Sequence, residues 1–130
     1  MSNVDTAKAA YEAFSSRDME TLSGHFAESV EWHSSDELPN GGTTSGRDAV
    51  LENFGRIPQY WSEFSLTTED FIDGGDKVVV HGTQRATAAE GDGQFEAHFL
   101  HLMEFDADGK VVRGEFITDS AKALKALGQS

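Results

Sequence analysis

The hydrophobic pattern changes period once, near residue 60, and that change confines the chain to a helical first half and a sheet-forming second half. Before it, Val4, Ala7, Ala10, Tyr11 and Phe14 recur at helical spacing and predict a first helix over residues 4–16. Asp18 has the chemistry of an N-cap for a second, shorter helix through Leu22 and Phe26, and Val30-Glu31-Trp32-His33 reads as a short strand. The stretch Ser34 to Thr44 holds Pro39, Asn40, Gly41 and Gly42 and predicts a loop that turns the chain back. Ser45-Gly46-Arg47-Asp48 has capping-box spacing ahead of a third helix, which buries Val50, Leu51, Phe54 and Ile57 and ends at Pro58.

After Tyr60 and Trp61 the period falls to two. Phe64, Leu66, Thr68 and Ile72 alternate with Glu63, Ser65, Thr67 and Glu69, as on a half-buried strand. Three further strands, Lys77 to Ala88, Gln94 to Phe105 and Val111 to Thr118, are separated by the turn sequences Glu90-Gly91-Asp92-Gly93 and Asp106-Ala107-Asp108-Gly109. Gly82 and Gly114 lie inside long strands, where glycine marks a bend or bulge. Asp119 or Ser120 caps a closing helix through Ala123, Leu124 and Leu127, stopped by Gly128. One α+β domain over residues 1–130 is expected, its curved antiparallel sheet wrapped around three N-terminal helices, with a short C-terminal helix.

Charge removes several functions. Ten Lys and Arg against 23 Asp and Glu give −13, with no basic cluster, so nucleic acid and anionic membranes are poor partners. Cysteine is absent, which excludes a thiolate metal site and a thiol nucleophile. No stretch has the run of apolar residues a membrane span or signal peptide needs, and a cytoplasmic protein is expected.

On the strand 97–105, alternation puts Ala97, Phe99, His101, Met103 and Phe105 on one face. A histidine there is desolvated and kept neutral, which suits a donor or base; it also suits a structural histidine bonded to a neighbouring strand. His98 points to the opposite face and cannot share an ion with His101. His81 approaches one or the other depending on register, and no carboxylate-histidine spacing accompanies it, so no metal centre is expected. Asp106-x-Asp108-Gly109 is a hairpin turn, since the twelfth position of a calcium loop would be Ile117. A concave sheet face closed by helices makes a pocket, and Tyr11, Phe14, Trp32, Phe54, Trp61, Phe64, His81, Phe99, Met103, Phe116 and Thr118 are the candidate lining for a small apolar or aromatic ligand. The same side chains would also fill a solid core.

Four segments carry a resemblance: Ala10-Tyr11-Glu12-Ala13-Phe14 with Arg17-Asp18-Met19-Glu20-Thr21-Leu22; Phe26-Ala27-Glu28-Ser29-Val30-Glu31-Trp32; Pro39-Asn40-Gly41-Gly42 followed by Gly46-Arg47-Asp48-Ala49-Val50 and Phe54; and Phe105 to Val112. Together they resemble the nuclear transport factor 2-like superfamily, and within it the SnoaL-like polyketide cyclases and ketosteroid isomerase-related proteins. The resemblance implies a cone-shaped, cystatin-like domain. The isomerases' base, tyrosine and protonated-acid positions fall at Ser34, Ala10 and His101, which does not reproduce their mechanism. The SnoaL-like cyclases are similar at the far end, where Thr118-Asp119-Ser120 leads to Leu127-Gly128, and this likeness implies Asp119 as acid or base with His101 as donor or proton shuttle. Asp119 equally meets the need for a helix cap.

What the resemblance implies is cofactor-free proton transfer next to a carbonyl, of cyclase or isomerase type, on an apolar or polycyclic ligand. The alternative is a non-catalytic ligand-binding or dimer-forming module of the same fold. His98, Leu100 and Leu102, on the face opposite His101, predict a homodimer through the outer sheet face.

Overall fold

The computed structural model describes residues 2–128. Helix α1 (Asn3–Ser15) starts with a capping box in which Ser2 and Asp5 each accept from the other's backbone amide, and α2 (Met19–Gly24) starts at Asp18, whose side chain accepts from the amide of Thr21. Strand β1 (Phe26–Ser34) follows directly. Phe26 therefore opens a strand rather than closing the second helix. The reason is non-local: Phe26 pairs with Val111, and the Val111 amide donates to the His25 carbonyl.

Strand β2 (Gly42–Ser45) occupies the second half of the stretch predicted as a loop, pairing Thr43 and Thr44 with His33 and Trp32. It is short and polar, and pairing rather than alternation makes it a strand. Ser45 sits on that strand, so the expected capping box does not form; α3 (Arg47–Gly55) instead begins at Gly46, whose φ of 95° only glycine adopts readily and which makes no side-chain cap bond. Pro58 lies in the first turn of a separate single-turn helix, α4 (Ile57–Tyr60), and so starts a helix rather than ending one, since a proline's missing N–H costs nothing in that turn.

Four long strands complete the sheet: β3 (Trp61–Asp73), β4 (Lys77–Ala88), β5 (Gln94–Phe105) and β6 (Val111–Thr118). The spatial order is β2-β1-β6-β5-β4-β3; every pairing is antiparallel except β1 with β6, which is parallel. Because β2 and β3 are the two edges, the chain between them must cross the sheet, and α3 and α4 form that crossing. With α1 they cover the concave face. Helix α5 (Ser120–Ala126) is capped by Asp119, whose Oδ1 accepts from the Lys122 amide at 3.1 Å, and closes the far end.

The inner face of β5 follows the alternation read from sequence, with Phe95 through Phe105 buried at every second position. Two apolar clusters form on the concave side. One joins α1, α2 and β1 to the Phe99 end of the sheet, and the other gathers Trp61, Ala86, Phe95 and Ala97 under Ala123 and Ala126 of α5.

Gly82 and Gly114 receive aromatic rings. A Cβ at Gly82 would strike the Thr67 carbonyl and lie 2.7 Å from the Phe99 ring, while one at Gly114 would strike the Trp32 ring. The β3 register also shifts beside Gly82, between Thr68 and Asp70. Gly82→Ala should destabilise the fold by about 1–3 kcal/mol, because the obstructing Thr67 oxygen is backbone and cannot swing aside; urea unfolding measures it, and an unchanged midpoint would refute the close packing.

Candidate functional site

Between the two apolar clusters the concave face is not filled. A cavity of about 120 Å³ open to the centres of water molecules remains, room for roughly four waters at the density of the liquid. Its walls come from α1 (Tyr11, Phe14), β1 (Trp32, Ser34), the 35–41 loop (Leu38, Asn40), α3 (Asn53, Phe54) and the inner faces of β3 to β6. Among the described residues no Asp, Glu, Lys or Arg lines it. The loop is tied to α3 by Asn53, whose Nδ2 donates to the Asn40 carbonyl and to Thr44 Oγ1, both at 3.2 Å.

The polar centre of the cavity wall is a pair. Tyr11 Oη lies 2.6 Å from His101 Nδ1, joining α1 to β5 inside the core. His101 is 3% exposed and Tyr11 8%. Burial holds the imidazole neutral, pushing its pKa down to about 3, and raises that of the Tyr11 hydroxyl, so both stay uncharged near neutral pH. The tautomer follows from satisfaction: if Tyr11 donates to Nδ1, the proton of His101 sits on Nε2 and only that N–H lacks a partner, whereas the reverse arrangement would orphan both the Tyr11 proton and the Nε2 lone pair. Nε2 has no protein partner among the described residues, and the same holds for Gln84 Oε1 on β4. Trp32 packs edge to face against the imidazole with centroids 4.6 Å apart, and Phe116 lies at 5.8 Å.

A family model for the SnoaL-like domain matches residues 7–114. The chain belongs to the SnoaL-like family. Its fold is the nuclear transport factor 2-like, or cystatin-like, fold. A solved protein of this fold with unknown function, from Burkholderia pseudomallei K96243, is 32% identical with a TM-score of 0.90, each chain covered over 98% of its length. TerC, crystallised with polyporic acid, is 27% identical with a TM-score of 0.87 and the same coverage. IdmH of Streptomyces antibioticus, provisionally assigned as a polyketide cyclase, is 26% identical over 98% of this chain and 99% of its own, with a TM-score of 0.79. No curated protein matches. No helix among the described residues is long and apolar enough to cross a membrane.

In this SnoaL-like domain the cavity brings together His101, Tyr11, Phe14, Trp32, Phe54, Trp61, Phe64, Met103, Phe116 and Thr118. Three expected site residues lie elsewhere. Phe99 faces inward but fills the core, its ring stacked between Tyr11 and Phe116 and seated on Gly82. Asp119 is exposed, caps α5 and is not part of the wall. His81 is on the outer face of the sheet, where it meets Glu69, Asp70 and the ring of His98.

Sequence reasoning missed Ser34 as a wall residue, along with Leu38, Asn40, Asn53 and Gln84. Gln84 was findable, because it breaks the inward series Val78, Val80, Gly82 and Ala86. The directions of Leu38 and Asn40 follow from an irregular loop that has no period.

The buried imidazole predicts a pH dependence. In the unfolded chain it titrates near 6.5, and in the folded protein near 3, so between those values the unfolded state binds more protons. Its contribution is complete above about pH 6.5 and is lost as pH falls toward 3. Chemical denaturation at stepped pH should show His101→Phe losing less stability than the parent across that window; equal slopes would refute a neutral buried imidazole.

Proposed function

We propose that this protein binds a neutral, ring-containing carbonyl compound in the cone and promotes proton transfer at the carbon next to the carbonyl, as a cofactor-free enzyme of cyclase or isomerase type. One observation carries this reading: His101 Nε2, which bears the proton when Tyr11 donates to Nδ1, is buried and without a protein partner among the described residues, on a wall to which they contribute no charged side chain. When a proton leaves carbon beside a carbonyl, negative charge gathers on the oxygen, and a fixed N–H in dry surroundings favours that enolate over the ketone. A neutral imidazole can act as such an electrophile. Tyr11 is a positioning residue, since it holds the tautomer without facing the reacting atoms.

Among the described residues no carboxylate lines the cavity to act as a base, so the C–H proton passes to water. That restricts the substrate to an acidic carbon, such as a methylene flanked by two carbonyls, for which orientation and oxyanion stabilisation supply much of the acceleration. The provisional assignment of IdmH as a polyketide cyclase supports ligands of this kind. The same lack of a carboxylate favours a second reading, a carrier that binds such compounds without transforming them.

Both tryptophans of the chain, Trp32 and Trp61, line the cavity, so ligand binding should quench intrinsic fluorescence. Titration with two polycyclic 1,3-diketones of different ring size, each below its own pKa, followed by NMR of deuterium uptake from D2O at the diketone methylene, separates the readings. The enzyme reading expects saturable quenching and accelerated uptake, with His101→Phe slowing uptake roughly 100- to 1,000-fold. Binding without acceleration assigns the carrier; quenching by neither compound overturns both.

Pairing of two copies through the outer sheet face is the proposed assembly. Leu100 and Ile117 are cross-strand partners there and Ile72 lies farther across the sheet, all three well exposed. Light scattering should give twice the chain mass, falling to one chain in a Leu100→Glu, Ile117→Glu double variant; a single-chain mass for the parent overturns the pairing.

A further inference from the structure

We propose that the outer face of the sheet carries a site for a zinc-class divalent cation, formed by Glu69 on β3, His81 on β4 and His98 on β5. This site lies on the side of the sheet away from the cavity and does not depend on the reading of the cavity; because His81 is the cross-strand partner of Leu100, it borders the surface proposed to pair two copies, and the Leu100→Glu, Ile117→Glu variant should bind the ion as the parent does. Each residue offers one ligand atom, and these atoms lie within 4.8 Å of one another. Glu69 Oε2 is 3.4 Å from His81 Nδ1. That is the edge a tetrahedral ion with bonds of 2.0–2.2 Å requires, roughly 3.3–3.5 Å.

Two features of the sheet assemble the group. The β4–β5 register pairs Thr83 with His98 and His81 with Leu100, so the histidines are diagonal neighbours on one face and their rings stack with centroids 5.4 Å apart at 18°. Rotation about the histidine side-chain bonds would turn the stacked rings toward a common point on binding. On β3 the register shift between Thr68 and Asp70 breaks the alternation, and two consecutive carboxylates reach the same imidazole. Asp70 Oδ2 is 3.1 Å from His81 Nδ1, which places it to take a fourth position in competition with water. A regular strand would have sent Glu69 and Asp70 to opposite faces.

Two imidazoles with a carboxylate select first-row metals such as Zn2+, Co2+ or Ni2+ over Mg2+ and Ca2+, which prefer all-oxygen sites. A bound ion would join three adjacent strands at the bulge, where the ladder is interrupted.

The test uses the full chain, freed of metal with a chelator. Calorimetry with Zn2+ should show saturable binding of a single ion per chain, and Co2+ should develop the visible absorption of a nitrogen- and oxygen-ligated tetrahedral ion. At free Zn2+ about 100-fold above Kd, Tm should rise by roughly 5–10 °C. His81→Ala and His98→Ala should each weaken binding about tenfold or more, and Glu69→Gln should weaken it as well without removing an imidazole. The circular dichroism and the intrinsic tryptophan fluorescence of the metal-free chain should be unaltered in all three variants, which reports an intact fold. Zn2+ binding that does not saturate, or that survives both histidine substitutions unchanged, overturns the site, as does Mg2+ competing at equal concentration.

Discussion

A hydroxyl on the first helix and an imidazole 90 residues later share one buried hydrogen bond, and much of the interior is arranged around it. Helix α1 can lie across the concave face only because Ala7, Ala10 and Ala13 are small enough to let its backbone approach the core. Tyr11 then reaches the sheet. That contact is short and polar, so the apolar material around it cannot slide, and space not filled by α1 stays open toward α3 and the 35–41 loop. The cavity is what remains when a bent sheet is covered by helices that are too few to fill it.

The same bond divides the polar work. With Nδ1 engaged by Tyr11, the proton of His101 is assigned to the other nitrogen, and no surrounding group competes for it. Charge of either sign is kept off the wall, so the −13 of the chain resides in turns, helix surfaces and the outer face. An uncharged ligand enters such a site without losing the hydration of an ion, whereas a charged one would have to leave water without a counter-charge.

Legibility followed the range of the forces involved. The inward face of β5 and the burial of His101 were readable because a period of two needs only neighbouring residues. Caps at Asp18 and Asp119 were equally local. The extension of β1 back to Phe26, the short strand β2 and the meeting of His81 with His98 each depend on a partner distant in sequence, and on a register that no single strand specifies. Asp119 shows the other limit. A resemblance at the strand–helix junction gave it a chemical role, but the side chain is spent on the helix N-terminus and faces solvent.

Gly114 adds a consequence for ligand size. Trp32 rests against the bare backbone there, so the depth of the cavity on that side is set by an atom the glycine does not have. Any larger residue at 114 would push the indole toward the ligand and shrink the space, leaving every side chain of the wall unchanged in identity. Chains of this fold with the same lining could thus accept different ring systems, the difference being written in a strand position that no ligand touches.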